Sequence, residues 1–424
     1  MAHDKSGMTN VSSNSAVSAG LSGESAATAE TRSSSPAKPR TLLFVTNTGE
    51  YGGAEKHLLD LMRRLIGPGV KISILCLQED LYTGHLSCDQ AAQIQFVRCG
   101  RELQSFRDWY RVFRDLRPDV VVFVRAWLWC YRWHAPVAAW LAGIPRRISI
   151  AHLPPPVLQE LCGGWFRRGL GQVRRTFQLL ALRVSANAQN AVVCVSDAIR
   201  GALIRDYGFP ANKTITISNG ISLHEFDQRE NRGLAVRERL GLSPQEFVLV
   251  CVARLSEQKR IDVLLLSMAK LLEVGVECKC IILGDGPLRE DLLRQAASLK
   301  LTRHVFFEGF QEDVQSYLQA ASAFVLTSDR EGGPIATLEA MACGLPCVVT
   351  DVGWNAELVT NRVNGFVVTR GSVDEVAAAV SYLAQHPHER LGMSKMSRAR
   401  IREGFDIEDR MAYLKDVILG CALP

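Results

Sequence analysis

Two carboxylates stand eight positions apart, Glu331 and Glu339, with a Gly-Gly-Pro between them in the run SDREGGPIATLE. Pro334 suits the first position of a helix, because its fixed φ fits there and its missing N–H had no intrahelical acceptor to lose. Gly332 and Gly333 let a ligand approach the backbone with no side chain in the way. The N–H groups of Ile335 and Ala336 then face outward, and a helix N-terminus favours phosphate or another anion. Glu331 stands at the mouth of this anion site, with Glu339 about two turns behind it. A ligand with a phosphate between two hydroxyl-rich ends fits that geometry, and a nucleotide sugar is such a ligand. The plainer reading is a helix capped by one acid with the other solvated on its surface. That reading leaves the Gly-Gly-Pro as a bare turn. It also leaves Glu339 flanked by Leu338, Ala340 and Met341, where a carboxylate is costly without a partner. A ribose diol donating two hydroxyls would be such a partner.

Other residues suit the same chemistry. Gly52 and Gly53 follow an apolar run and precede a helical pattern, as in a loop that brings backbone N–H groups to an anion. A tight turn between strand and helix explains them equally well. The loop is no P-loop, since Gly-Lys-Ser/Thr is missing, and GDGPLR at 284–289 lacks the third glycine of a dinucleotide fingerprint. Arg254 and Lys259, in ARLSEQKR, are two cations five apart that can clamp a diphosphate, Arg as a fork and Lys as a point charge. On their own they read as a solvated helix start with Glu257 as local partner. His152 ends the run RRISIAH, where it would bind a sugar hydroxyl or handle a proton, or serve only as a structural histidine. Pro154, Pro155 and Pro156 stiffen the next stretch of chain and shape an acceptor pocket. Asn219-Gly220 reads as a turn beside the cleft.

These residues need a frame, and the apolar runs supply it. TLLFVTN, KISILCL, DVVVFV, RRISIAH, AVVCVSD and TITISNGI are strand-length and rich in β-branched residues, with helical stretches between several of them. Continuous apolar strands alternating with helices predict an α/β architecture with parallel sheets covered on both faces. The pattern restarts near Phe247 with FVLVCVARL, CKCIILGDG, HVFFEGF, AFVLTS, PCVVTDVG and GFVV. A polar segment, 222–244, separates the two series. The expected architecture is two doubly wound Rossmann-like domains facing a central cleft, with ligands outside the carboxyl ends of the strands. The expected division is a leader at 1–40, a first domain at 41–221, a second at 222–404, and a last helix at 405–424 that crosses back to the first domain. The leader is Ser- and Ala-rich and lacks the large apolar groups needed to fold.

The chain of 424 residues has an ordinary soluble composition, 47% apolar and 22% charged, and a net charge of +5. Nucleic acid is not expected as a partner. Twelve scattered cysteines with no C-x-x-C pair suit a reducing cytosol and suggest neither zinc nor a redox centre. No apolar run of eighteen residues is present. Between Arg98 and Arg183, however, there are fifteen arginines, five acids and six of the seven tryptophans. That combination predicts contact with anionic lipid headgroups. Solvated helix faces and core anchors are the plainer account of the same residues. The expected location is cytoplasmic, peripheral on the inner face of the membrane.

The motifs also resemble a known family, glycosyltransferase family four, whose members are retaining enzymes of the GT-B fold. GGAEKHLLDL, His152, VSDAIR, ISNGI, VARLSEQKRID, ILGDGPLRE, FEGF and EGGPIATLEAMACGLPCVVTDVGWNAELV occur in the family's order. The resemblance implies that Gly53, Arg254 and Lys259 meet the donor diphosphate and Glu339 the nucleotide ribose. It implies that Glu331, with the backbone of Gly332, Gly333, Pro334 and Ile335, holds the transferred sugar, and that Phe310 lies at the base pocket. The reaction implied is transfer of a sugar from a nucleotide-diphosphate sugar to a carbohydrate or lipid-linked acceptor hydroxyl, with retention. No cofactor and no metal are implied, and no Asp-x-Asp motif is present. Two residues depart from the pattern. Arg260 replaces a common glycine, which would add a charge near the diphosphate, and Trp354 replaces a small residue, which would narrow the sugar pocket. A phosphorylase or sucrose-type synthase with a soluble acceptor, and a non-catalytic scaffold, stay open as alternatives.

Overall fold

The structure, a computed structural model, describes residues 39–46, 52–98, 103, 105–125, 134–153, 170–227 and 232–421. Apart from Pro39 and Arg40, the leader lies outside these residues, and Arg40 already opens the first strand. Seven strands form the first sheet: β1 (Arg40–Val45), β2 (Val70–Cys76), β3 (Ile94–Arg98), β4 (Val120–Arg125), β5 (Arg146–Ala151), β6 (Ala191–Cys194) and β7 (Thr214–Thr216). Their spatial order is β3-β2-β1-β4-β5-β6-β7. Six strands form the second: β8 (Val248–Val252), β9 (Lys279–Leu283), β10 (Val305–Gly309), β11 (Ala323–Leu326), β12 (Cys347–Thr350) and β13 (Gly365–Val368), ordered β10-β9-β8-β11-β12-β13. All the pairings are parallel.

β3 is absent from the strands read in the sequence. IQFVR alternates, with Gln95 exposed, and it lies at the sheet edge, so it lacks the continuous apolar run of a central strand.

Alternation along the strands divides the first core in two. Phe44, Ile74, Val122 and Ile150 face the helix Gly53–Leu65, which contributes Leu58, Leu61 and Met62. Leu43, Val45, Val121 and Phe123 face the helices Phe106–Leu116 and His134–Leu141 through Trp109, Phe113, Ala135 and Ala138. A capping box starts Phe106–Leu116, with Ser105 Oγ accepting from Asp108 N–H at 3.2 Å. The second domain has its own core, in which Val250, Ile281, Phe324 and Val348 pack with Leu264, Met268 and Leu338.

In both sheets the opening strand has neighbours on two sides, β1 between β2 and β4, β8 between β9 and β11. This is the switch point of a doubly wound sheet, where a crevice forms at the carboxyl ends. The chain passes between the domains twice, and the two passages pair. Ile221 N–H donates to Phe405 C=O at 2.8 Å, and Ile407 N–H to Ile221 C=O at 3.0 Å. The last helix, Ile407–Leu419, begins on Asp406 and ends at Gly420 in the left-handed region. Its buried residues Ile407, Met411, Leu414, Val417 and Ile418 belong to the core of the first domain, not the second.

Leu414 is therefore a first-domain core residue although it follows the whole second domain. Leu414→Ala should cost about 2–5 kcal/mol of unfolding free energy in a urea titration, the range for a buried leucine. A loss below about 0.5 kcal/mol, the surface-substitution level, would remove the helix from that core.

Candidate active site

On the second domain, the carboxyl ends of β8 and β11 carry the charged groups. After β8 comes Arg254, exposed, and then Lys259. After β11 comes the loop to Glu331, which is buried at 4% exposure. Lys259 Nζ lies 2.6 Å from Glu331 Oε1, and Ser328 Oγ donates to the same oxygen at 2.6 Å. The plainer reading of Lys259, a solvated cation beside Glu257, is thus replaced by a pairing 72 residues away. Asp329 N–H donates to Gln258 C=O at 2.8 Å, tying the two loops together. From the other side Gly353, at φ +55°, presses on the Glu331 carbonyl where any Cβ would overlap it.

The helix behind this loop is Ile335–Ala342. Pro334 is its N-cap and not its first helical residue, one position earlier than expected. Its carbonyl accepts from Thr337 N–H at 3.2 Å. Ile335 and Ala336 hold the first two helical positions, whose N–H groups have no intrahelical acceptor. Glu339 is the fifth residue, one turn in, not two.

The first domain closes on this loop. A Cβ on Gly332 would overlap the carbonyl oxygen of His152, which follows β5, and would touch Ile199 Cδ1 at 3.2 Å. A Cβ on Gly333 would sit 2.7 Å from Asn219 Nδ2 and 3.0 Å from Val195 Cγ2. Asn219 Nδ2 donates to Gly333 C=O at 2.7 Å. The two glycines therefore admit the other domain: the His152 carbonyl at Gly332, and the side chains of Asn219 and Val195 at Gly333. Gly52, extended, is the N-cap of Gly53–Leu65, and a Cβ on Gly53 would lie 3.7 Å from Ile335 Cδ1. Across the same gap Lys56 Nζ reaches Glu339 Oε1 at 2.5 Å. Glu339, 7% exposed, thus has a protein partner that nothing near it in the sequence indicates.

Gly53, Gly332, Gly333, Ile335 and His152 meet where the domains touch, with Glu331 and Glu339 held beside them on lysines. Arg254 stands at the end of β8. Phe310, 58% exposed just past β10, is two strands from the switch point on the outer side of the sheet. Pro154, Pro155 and Pro156 lie outside the described residues. Neither residue that departs from the family pattern adds to the cleft as expected. Trp354 is buried against Phe405, ring centroids 5.4 Å apart, and packs in the second core, so it does not narrow a sugar pocket. Arg260 adopts φ +48°, the conformation a glycine takes without cost, and its guanidinium is spent on Asp262 at 2.9 Å and Asp329 at 3.4 Å.

The chain matches the family model for glycosyl transferases group 1 over residues 235–400 and that for glycosyltransferase family 4 over residues 51–225. This protein belongs to glycosyltransferase family 4. Among curated relatives of this glycosyltransferase is the UDP-Gal:alpha-D-GlcNAc-diphosphoundecaprenol alpha-1,3-galactosyltransferase of Escherichia coli. It is 28% identical over 290 residues, which are 67% of this chain and 71% of that one. Another is the GDP-mannose-dependent alpha-(1-6)-phosphatidylinositol monomannoside mannosyltransferase of Mycolicibacterium smegmatis, 29% identical over 57% of this chain and 65% of that one. In fold the enzyme matches Anabaena HepE, solved with UDP and glucose, at TM-score 0.73 and 21% identity, over 90% of this chain and all of that one. Sucrose-phosphate synthase from Thermosynechococcus elongatus matches at TM-score 0.71 and 17% identity, over 90% of this chain and 99% of that one. The two parallel-sheet domains are a GT-B fold.

Sequence reading found His152 but missed its neighbour. His57, in the first helix, packs edge-on against His152 with ring centroids 5.0 Å apart. Both are buried, and among the described residues His57 Nδ1 and His152 Nε2 have no hydrogen-bond partner. The HLLDL register, which turns His57 inward with Leu58 and Leu61, is the signal that would have found it. Burial lowers the His57 pKa to about 4. Burial, and then the neighbouring His57, hold His152 well below the usual histidine value. Both rings are neutral at pH 7.

Acid therefore favours the unfolded chain. There these histidines take a proton near pH 6.5, and in the folded enzyme His57 does so only near 4. Stability is thus complete above about pH 6.5 and is lost as the pH falls towards 4. His57 alone should remove about 2 kcal/mol between pH 7.5 and 5. Urea titrations at the two pH values should show that loss, and His57→Gln should reduce it. An equal loss in both proteins would mean that His57 is not held neutral.

Proposed function

We propose that the enzyme transfers a sugar, with retention, from a nucleoside diphosphate sugar to a hydroxyl of a lipid-linked acceptor at a membrane face. The observation that carries the donor half is the pair of buried acids, Glu331 and Glu339, each held by a lysine at the carboxyl ends of the switch strands. In this reading Glu339 takes the ribose hydroxyls. Arg254, Lys259 and the backbone at Gly52 and Gly53 meet the diphosphate. Glu331, with the backbone of the loop from Gly332 through Pro334 to Ile335, orients the sugar, and Phe310 lies beside the base. A neutral His152 serves as a hydrogen-bond partner for a sugar hydroxyl, and its unpartnered Nε2 fits that role. The cations and the helix N-termini neutralise the leaving diphosphate, so no metal is called for. Attack from the same face as the leaving group, with the departing phosphate taking the acceptor proton, preserves the anomeric configuration.

The relatives lend support. The Escherichia coli name states a UDP-sugar donor and a diphosphoundecaprenol-linked acceptor, and the Mycolicibacterium smegmatis name states GDP-mannose and a phosphatidylinositol mannoside. The likeness to sucrose-phosphate synthase is one of fold and does not choose between acceptors. What favours a membrane is the surface of the first domain. The helix His134–Leu141 packs against Phe106–Leu116 on one side and Leu170–Asn187 on the other. These three helices hold seven of the sixteen exposed large hydrophobic side chains among the described residues. Trp140 and Leu141 end the middle helix, and Phe177, Leu180 and Val184 recur at helical spacing on its neighbour. Arg107, Arg111 and Arg114 form an exposed stripe on the other. Apolar side chains beside arginines suit an anionic lipid surface. Trp109 is a core anchor, whereas Trp127, Trp129, Trp133 and Trp165 lie outside the described residues. No helix among the described residues is long and apolar enough to cross a membrane.

Two measurements test the halves separately. In a thermal-shift panel of UDP, GDP, ADP and dTDP, one nucleotide at about 100 times its Kd should add about 2.7 kcal/mol. Glu339→Ala should weaken its binding by about 1.5–3 kcal/mol, and Glu331→Ala should lower kcat about 100-fold with little change in that binding. Unchanged values in both variants would refute the donor assignment. For the surface, sedimentation with phosphatidylcholine–phosphatidylglycerol vesicles should capture the enzyme at low salt and release it as salt rises. Trp140→Ala with Phe177→Ala should weaken capture about tenfold, since two large apolar groups are lost. Capture indifferent to both changes would return the soluble-acceptor alternative.

A further inference from the structure

Lys56 has no role in the proposed donor site, yet it touches the carboxylate on which that site depends. Its ammonium lies 2.5 Å from Glu339 Oε1, the two belonging to different domains. The partners are unequal. The Glu339 side chain is 9% exposed and the Lys56 side chain 47%. A carboxylate so enclosed needs a partner, whereas a half-solvated lysine does not. The pair is weak, because an exposed ammonium gains little from an ion pair and gives up side-chain freedom to make it. A diol that donates two hydroxyls can therefore take the carboxylate from it.

What the lysine does next is fixed by where it is rooted. Lys56 lies in the first turn of Gly53–Leu65, just past its glycine N-cap. That is the positive end of a helix, where a cation is disfavoured unless an anion is present. The N-terminus of Ile335–Ala342 meets the same place, as the 3.7 Å between Ile335 Cδ1 and a Cβ on Gly53 indicates. Two helix N-termini and a long, flexible ammonium converge on one volume, and a phosphate is the group that satisfies all three.

We propose that Lys56 is a movable donor-binding cation: it holds Glu339 across the cleft and passes to the donor diphosphate when the ribose hydroxyls take the carboxylate. Capture of the ribose and of the diphosphate is thereby coupled, and a ligand with only one of these parts gains less than its share. This rests on the reading of Glu339 as the ribose acid.

The test compares two probes on two proteins by calorimetry, using the nucleoside diphosphate that binds in the thermal-shift panel and its parent nucleoside. The nucleoside has the ribose and no diphosphate. Lys56→Met should weaken the diphosphate about tenfold and leave the nucleoside unchanged or bound a few-fold more tightly, because its competitor for Glu339 is gone. Lys56→Arg should restore most of the diphosphate affinity. An equal effect on both probes, in either direction, or no effect on either, overturns the proposal. The failures are separable. If Glu339→Ala weakens both probes while Lys56→Met changes neither, the ribose site stands and the moving lysine falls. If Glu339→Ala changes neither probe, the donor reading itself falls.

Discussion

The carbonyl of His152 and the amide of Asn219 lie so close to Gly332 and Gly333 that no side chain fits between the domains there. This close approach sets the rest of the site. It brings the N-terminus of Gly53–Leu65 up to that of Ile335–Ala342, and it brings Lys56 within reach of Glu339. It also demands a rigid loop on the donor side. Gly353 presses from one face, the Gln258–Asp329 hydrogen bond ties the other, and Thr350 Oγ1 donates to Ser328 C=O at 2.6 Å beneath it. A loop held on three sides presents Glu331 in one orientation, as its proposed role beside the transferred sugar would require.

Enclosure then governs the electrostatics. Two carboxylates at the domain contact would be costly alone, and each has a lysine. Lysine, not arginine, occupies both positions. Its single compact charge on a flexible stem can change partners. The two histidines respond to the same enclosure in the opposite way. Buried, they give up the proton and remain as neutral rings, each with one nitrogen that has no partner among the described residues. The contact region thus combines paired charges with neutral hydrogen-bonding groups, a lining suited to a ligand of phosphates and hydroxyls.

Much of this was legible in the sequence because it is local. Twelve of the thirteen strands fall in runs read as strands, and the glycines and acids of SDREGGPIATLE mark the loop at the domain contact without help. β3 escaped because an edge strand need bury only one face. The helix start at Pro334 slipped by one residue because proline satisfies both the cap and the first turn. Trp354 and Arg260 were assigned to the cleft by their position in a motif, whereas neighbours distant in sequence, Phe405 and Asp329, decide where those side chains go. Lys56 and His57 were invisible for the same reason. Lys56 and Glu339 are 283 residues apart, and His57 meets His152 only through the sheet. Local pattern reveals the residues that shape a loop; it does not reveal which charges face each other across a cleft.

That distribution of charge bears on which ligands the site accepts. Lys56 and Lys259 are paired with Glu339 and Glu331, and two helix N-termini add positive potential beside them. A diphosphate arriving alone would find both lysines already committed to acids. A diol arriving alone would find its carboxylate occupied. In the proposed donor site, a ligand carrying hydroxyls on either side of the phosphates would exchange both pairs at once, each hydroxyl group releasing the lysine that its neighbouring phosphate then takes. On that proposed reading, selectivity for an intact nucleotide sugar over its fragments would follow from two exchangeable ion pairs, without a dedicated contact to every atom of the ligand.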